Sequence, residues 1–250
     1  MAKVSAKNGI ILIGGRELSS YVMAYDSQNN ANPIDVTGFT DGCQNFIPGL
    51  PSSTITADMF WSYSGVQVHE ALRTLGTTGQ VTILPEGSTA GGQCITMPVM
   101  QSNYNPGGVI TDALKIGSLT FDNYGTGTGT ENATLLYHGT TTTSFTGSGF
   151  LDVSAAAATA TCGATLHIWG TALAADTYVI KVQDSADSTN GSDGTWADLV
   201  TFTLNGSALG SERVIVASGT VDKYRKVVAT RTGSAGNTLS FTVAFWRGAN

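Results

Sequence analysis

The side chains of this 250-residue chain best suited to hold a metal, activate a nucleophile or move a proton are three histidines, three cysteines and eighteen carboxylates. Chemistry needs such groups to converge, and their spacing predicts that they do not. His69 stands beside Glu70 in a predicted helix, off its apolar face, and reads as a solvated helix histidine. His138 (LLYHG) and His167 (TLHIW) stand singly on predicted strands, without a second ligand at His-x-His or His-x-x-x-His spacing. Cys43, Cys94 and Cys162 are far apart and form no CxxC, which predicts buried or half-buried thiols in a reducing compartment and no zinc. The best candidate for a hard cation is the acidic loop with Asp184, Asp187, Asp193 and Asp198. Its carboxylates and carbonyls suit calcium, but the spacing matches no twelve-residue calcium loop, and Asx-rich turns carry such residues for backbone reasons. There is no GxSxG elbow and no P-loop, and GTGTGT at 125–130 reads as linker. The expectation is no enzyme, no metal and no cofactor.

Composition narrows the class. Charged residues make up 12%, hydrophobic residues 41%, and the net charge is −6. That balance argues against disorder, and the residue types argue against a coiled coil or helix bundle. No run of about 18 apolar residues is present to span a membrane. The apolar run in MAKVSAKNGIILIGG is too short for a secretory signal core. The sequons at Asn132, Asn190 and Asn205 are expected by chance in a Ser/Thr-rich chain. Lys223, Arg225, Lys226 and Arg231 are the one basic cluster; they are expected on the solvated face of a strand. An acidic surface otherwise repels phosphate backbones, so sequence-specific DNA binding is not expected.

Period-two alternation predicts the elements that carry these residues. Ile55, Ala57, Met59 and Trp61 share one face, as do Tyr178, Ile180 and Val182. So do Val200, Phe202 and Leu204, then Leu239, Phe241, Val243 and Phe245. Cys162, Ala164, Leu166 and Ile168 predict a strand whose entry takes in Ala155–Ala158, in preference to a helix. Leu114 and Ile116 share one parity, Leu119 and Phe121 the other, and a β-bulge at Gly117 repairs the slip. One segment is helical: Ser64 and Gln67 form a capping box, Val68, Leu72 and Leu75 recur on one face, and Gly76 stops a helix over about 65–75. The fold class is mainly β, with two sandwich or barrel-like domains. The Gly/Thr-rich run after Asn123 places their boundary near 124–130, giving domains 1–125 and 126–250.

The order of motifs in Ser19–Trp61 resembles the tail tube (major tail) proteins of long-tailed bacteriophages. The matching residues are Asp35-Val36-Thr37-Gly38-Phe39, Phe46-Ile47-Pro48-Gly49-Leu50, and the strand Thr54–Trp61. The short helix, Val81–Leu84, Pro85-Glu86-Gly87, the Cys94–Met100 strand, Tyr104–Val109 and Ala113–Phe121 follow in family order, so the likeness covers about 8–122. The second half, from Val179–Asp187 through Gly194–Leu199 and Tyr224-Arg225 to Phe241–Phe245, is similar to C-terminal domains that accompany this module in related phage proteins. It is either a diverged second tube-like sandwich or an outer decoration.

The resemblance implies a virion protein whose sheets pair edge to edge into rings, stacked as a hollow conduit for DNA. The long loop after the first strand, about Asp26–Phe46, then reaches a neighbouring ring, and Phe46–Leu50 brings the chain back. The implied oligomerisation residues are Asp26, Asp35, Val36, Thr37, Phe39, Phe46, Ile47, Pro48, Gly49 and Leu50. The implied partners are copies of itself, as trimers or hexamers, and other phage tail proteins, with DNA only as non-specific lumen cargo and no membrane. The implied location is the virion tail, after assembly in the host cytoplasm. Two other readings stay open: a capsid decoration or tail-tip subunit, and a carbohydrate-binding sandwich that stacks Trp169, Trp196 or Tyr224 on sugars. Core packing is the competing role for those aromatics, since Trp61 and Trp246 also end apolar strands.

Overall fold

A computed structural model describes residues 8–39, 42–62, 68–108, 114–125, 129–147, 150–151, 158–171, 176–186, 193–233 and 236–248. It is mainly β. The chain runs β1 (Ile10–Ile13), β2 (Arg16–Glu17), a 3-10 turn (Ser19–Tyr21), β3 (Val22–Asn30), β4 (Ile34–Asp35), β5 (Phe46–Ile47) and β6 (Ser52–Phe60). Helix α1 (Val68–Leu72), β7 (Thr78–Leu84), β8 (Gln93–Gly107), β9 (Lys115–Asn123) and β10 (Glu131–Thr141) follow. Then come β11 (Phe145–Thr146), β12 (Phe150–Leu151), β13 (Ala158–Gly170) and β14 (Thr177–Ser185). The last are β15 (Ala197–Thr201), β16 (Gly210–Val221), β17 (Tyr224–Thr232) and β18 (Leu239–Arg247). No helix among the described residues is long and apolar enough to cross a membrane.

Packing divides the chain into two compact units. Unit 1 is Met1–Ser19, Gly79–Thr96 and Glu131–Asn250; unit 2 is Ser20–Thr78 and Met97–Thr130. The linear boundary near 124–130 meets this partition at one junction, Thr130/Glu131, and the chain changes unit at three further points. The charge is unevenly shared: unit 2 has seven acidic and two basic residues, unit 1 eleven and ten.

Unit 1 is a sandwich. Its larger sheet carries β16-β13-β18-β10-β8-β7-β1-β2, and its smaller one β11-β17-β14-β15 with β12 also on β17. The alternating sets predicted from sequence meet in one core: Cys162, Ala164, Leu166 and Ile168 of β13 and Phe241, Val243 and Phe245 of β18 pack with Tyr178, Ile180 and Val182 of β14. β18 departs from the half-buried expectation. Ser240, Thr242, Ala244 and Trp246 on its other face are buried as well. Ala244 and Trp246 join a second core with Leu12, Leu84, Cys94, Ala133 and Leu135. A strand flanked by β13 and β10 and covered on both faces has no solvent side.

Unit 2 is built on the antiparallel sheet β3-β6-β9, with β8 beside β9. Ile55, Ala57 and Met59 of β6 and Ile116, Leu119 and Phe121 of β9 are buried. Between Ala57–Leu119 and Met59–Ile116, β9 spends one more residue than β6. The predicted bulge is therefore present at Gly117–Ser118. Ser118 holds φ 52° there, and its amide donates to Asp58 Oδ1 at 2.7 Å. Leu114, before the strand, is exposed, against the parity expectation.

The helix is shorter than predicted. It spans Val68–Leu72, with Val68 and Leu72 buried but Leu75 exposed beyond its end. Gln101 Nε2 donates to the Leu72 carbonyl at 2.6 Å and so caps it. The capping box Ser64–Gln67 and the run 152–157 lie outside the described residues.

Candidate functional site

The feature of unit 2 that burial does not explain is an arm between β3 and β6. The last rung of that hairpin is Asn30–Ser52. Beyond it Asn32 takes φ 44°, a left-handed value that Asn tolerates, and Pro33 follows. The Asn32 side-chain amide donates to the Leu50 carbonyl (3.0 Å) and Ser52 Oγ (3.1 Å), closing the neck. Further out, β4 and β5 pair through Ile34–Ile47 and Asp35–Phe46.

The tip is held by a polar knot. Asp35 Oδ1 accepts from the Thr37 amide at 2.9 Å and from the Thr37 hydroxyl at 2.5 Å. The Asn45 amide donates to Thr37 Oγ1, and the Val36 amide to the Asn45 carbonyl, each at 2.9 Å. Asp-Val-Thr is thus an Asx turn whose threonine also ties the returning strand. Those hydrogen bonds from Thr37, first its hydroxyl and then its amide, hold the Asp35 carboxyl below the ordinary carboxylate range.

The backbone of the arm is paired at β4–β5 and tied at Val36, Thr37 and Asn45, while its large apolar side chains are exposed. Ile34, Val36, Phe46 and Ile47 are exposed, Leu50 is 88% exposed and Phe39 fully so. Scattered apolar residues on a surface are ordinary, whereas here six large ones are exposed on one short arm, which makes it the candidate site. Of the implied oligomerisation residues, Asp35, Val36, Thr37, Phe39, Phe46, Ile47, Pro48, Gly49 and Leu50 stand together here. Asp26 does not. It lies within β3, opposite Thr56, and accepts from Gln28 Nε2 at 2.6 Å. The arm therefore begins after Asn30, because Asp26–Asn30 are paired strand.

The other candidates dissolve into packing. Asp187 lies outside the described residues; Asp184 is buried and accepts from the Asp222 amide at 3.0 Å, burial pushing its carboxyl upward. Asp198 is taken up by Lys181 (2.5 Å) and Gln183 (2.8 Å), which pull it downward. Among the described residues no three His, Cys, Asp or Glu side chains are placed to hold a metal.

The basic cluster is only partly on the surface: Lys223 is exposed, Lys226 and Arg231 are half-buried, and Arg225 is buried. Arg225 is 1% exposed, with its guanidinium 4.3 Å from the Phe245 ring centre. Arg231 pairs with Asp176 at 3.1 Å, and Lys226 lies 3.9 Å over Trp196. Arg225 shares parity with buried Val227 and Ala229, a signal that was present in the sequence.

His69 is not simply solvated. It stacks on Trp61 at 4.0 Å, and its Nδ1 hydrogen-bonds with Tyr104 Oη at 2.6 Å. His138 stacks on Trp169, and its Nδ1 hydrogen-bonds with Thr242 Oγ1 at 2.7 Å; burial lowers its pKa. His167 is wholly buried: its Nδ1 accepts from the Gly15 amide (3.4 Å), so Nε2 carries the proton and donates to Thr82 Oγ1 (2.8 Å). Cys94 and Cys162 are buried, burial pushing Cys94 up to about 12, whereas Cys43 is exposed at the arm, contrary to expectation. Trp246 and Tyr224 pack inward, as core aromatics do.

No family model and no curated protein matches the chain. Among solved structures, a chain of the virion of a native gene transfer agent particle aligns with TM-score 0.40 and 15% identity, over 49% of this chain and 95% of that one. The SPP1 Dit (gp 19.1) protein, described as a paradigm of the hub adsorption apparatus in phages infecting Gram-positive bacteria, aligns with TM-score 0.36 and 10% identity. That alignment covers 97% of this chain and 100% of the other. The neighbours are thus phage and phage-like virion proteins.

Proposed function

We propose that this chain is a structural virion protein that assembles with copies of itself into stacked rings, forming the hollow tail tube through which phage DNA passes. The observation that carries the reading is the apolar arm, with its backbone knotted and its large apolar side chains exposed. It supports an arm that finds its cover on a neighbouring ring.

The sheet of unit 2 supports the ring itself. At one margin β3 pairs only with β6 among the described residues, and its nine residues contain one charge, no lysine and no proline. Such an edge is poorly guarded against a further strand. The order β3-β6-β9-β8 alternates in direction, so β3 and β8 run antiparallel. β8 also pairs with β7, up to the bonds of Gln101 with Gly76 and Thr77, so the margin it leaves open among the described residues is 102–107. A copy placed alongside by rotation about an axis along the strands brings β3 of one against that part of β8 of the next in antiparallel sense. Repetition closes a ring in which these two margins are covered. The acidic excess of unit 2 suits a conduit that DNA slides through without adhering.

Sedimentation of the purified full chain tests the reading. Species far larger than a closed ring are expected, and a concentration-independent monomer contradicts it.

A further inference from the structure

The strands that carry the arm have a second apolar end. In unit 2 the arm end is marked by Asn30, Ser52 and Asn123, and the far end by Val22, Phe60 and Lys115. Nine-residue strands set these ends about 30 Å apart. At the far end Met23, Phe60 and Leu114 are all exposed. The Trp61 amide donates to the Leu114 carbonyl at 2.8 Å, which joins the end of β6 to the start of β9. Met23 is the extra residue of β3 between the pairs Val22–Met59 and Ala24–Asp58. Three adjoining strand ends thus present a rim of large apolar side chains, each about two-fifths exposed.

We propose that this rim, Met23, Phe60 and Leu114, receives the apolar arm of a second copy of the chain, stacked along the strand direction. The inference rests on the stacking reading above and names the surface on which the arm lands. Charge complementarity favours a second copy as the occupant. The arm contains Asp35 and Asp41 and no basic residue, whereas Lys115, one of two basic residues in unit 2, stands opposite Phe60 in the rim. Polarity favours it too. Arm and rim lie at opposite ends of the same strands, so the contact is head-to-tail and leaves one free arm and one free rim on every stack. An open filament follows.

The test uses the full chain and two independent variants. Phe60→Asp/Leu114→Asp, with unchanged circular dichroism, is expected to lower the polymer pelleted at a given concentration at least tenfold, while Val179→Asp in unit 1 pellets as the parent does. In the second variant Leu114→Cys, a short bis-maleimide is expected to join position 114 to exposed Cys43 of the next copy, giving a ladder of covalent oligomers. Parental pelleting by the first variant, or assembled polymer of the second without a ladder, overturns the rim as receptor. A chain with its arm shortened separates the two ideas: if that chain also pellets normally, the stacking reading itself falls.

Discussion

Gly49 lies directly against Asn32: a β-carbon at position 49 would stand 2.2 Å from the Asn32 carbonyl oxygen. The two residues form the neck of the arm, where the outgoing and returning chains cross more closely than any side chain permits. Gly49→Ala must therefore displace the Asn32 backbone and, with it, the amide bonds to Leu50 and Ser52. Because the arm buries little, the monomer is expected to melt within about 0.5 kcal/mol of the parent. Its polymerisation should fall at least tenfold. Normal assembly by G49A would show that neck geometry is irrelevant to the contact.

Removing the arm is the coarser version of the same experiment. Replacing 33–49 with a short Gly/Ser turn between β3 and β6 should leave the far-ultraviolet dichroism of a β protein and abolish tubes.

Asp35 gives the arm a pH dependence of definite sign. Its carboxylate is favoured in the folded arm by the hydrogen bonds from Thr37, so that contribution is present above the ordinary value of 3.8 and is lost as pH falls through the lowered one. Asp35→Asn should remove this dependence from assembly measured between pH 5 and pH 2.5.

His167 predicts the opposite end of the acid range. Burial lowers its pKa from 6.5 to about 3. The unfolded chain therefore binds the proton that the folded chain refuses, and stability falls as pH drops below 6.5. The loss reaches about 2 kcal/mol by pH 5. Denaturant melts at pH 8 and pH 5 measure it, and His167→Asn should flatten the difference.

Glu131 and Arg213 form a buried ion pair, with side chains 7% and 9% exposed and the guanidinium 4.5 Å from the Trp246 ring centre. Glu131→Ala strands a buried cation and is expected to cost about 3–5 kcal/mol. Glu131→Leu/Arg213→Met removes both charges and should recover most of that loss in the same melts.

Much of this fold was legible in the residues, and the failures share a cause. Tyr178, Ile180 and Val182, or Cys162 to Ile168, declared their inward faces because one side of each strand is apolar. Even the bulge at Gly117 followed from a slip in parity. β18 was misjudged because Ser240 and Thr242 look solvent-facing until a second core, with Ala244 and Trp246, is known to lie on that face. Arg225 was placed outside because an arginine is rarely buried, although parity grouped it with Val227 and Ala229. Gly129 looked like linker, yet a β-carbon there would stand 2.2 Å from Ser53 Oγ. The arm residues were marked by likeness of order alone. Their exposure depends on how little apolar cover the fold places over them, which alternation does not encode.

Negative-stain electron microscopy of the purified full chain tests the central claim most directly. Self-assembly through sheet edges and the arm predicts long hollow tubes with an axial repeat of stacked rings. Fields of dispersed monomers, persisting at concentrations where the parent chain is fully folded, would contradict it.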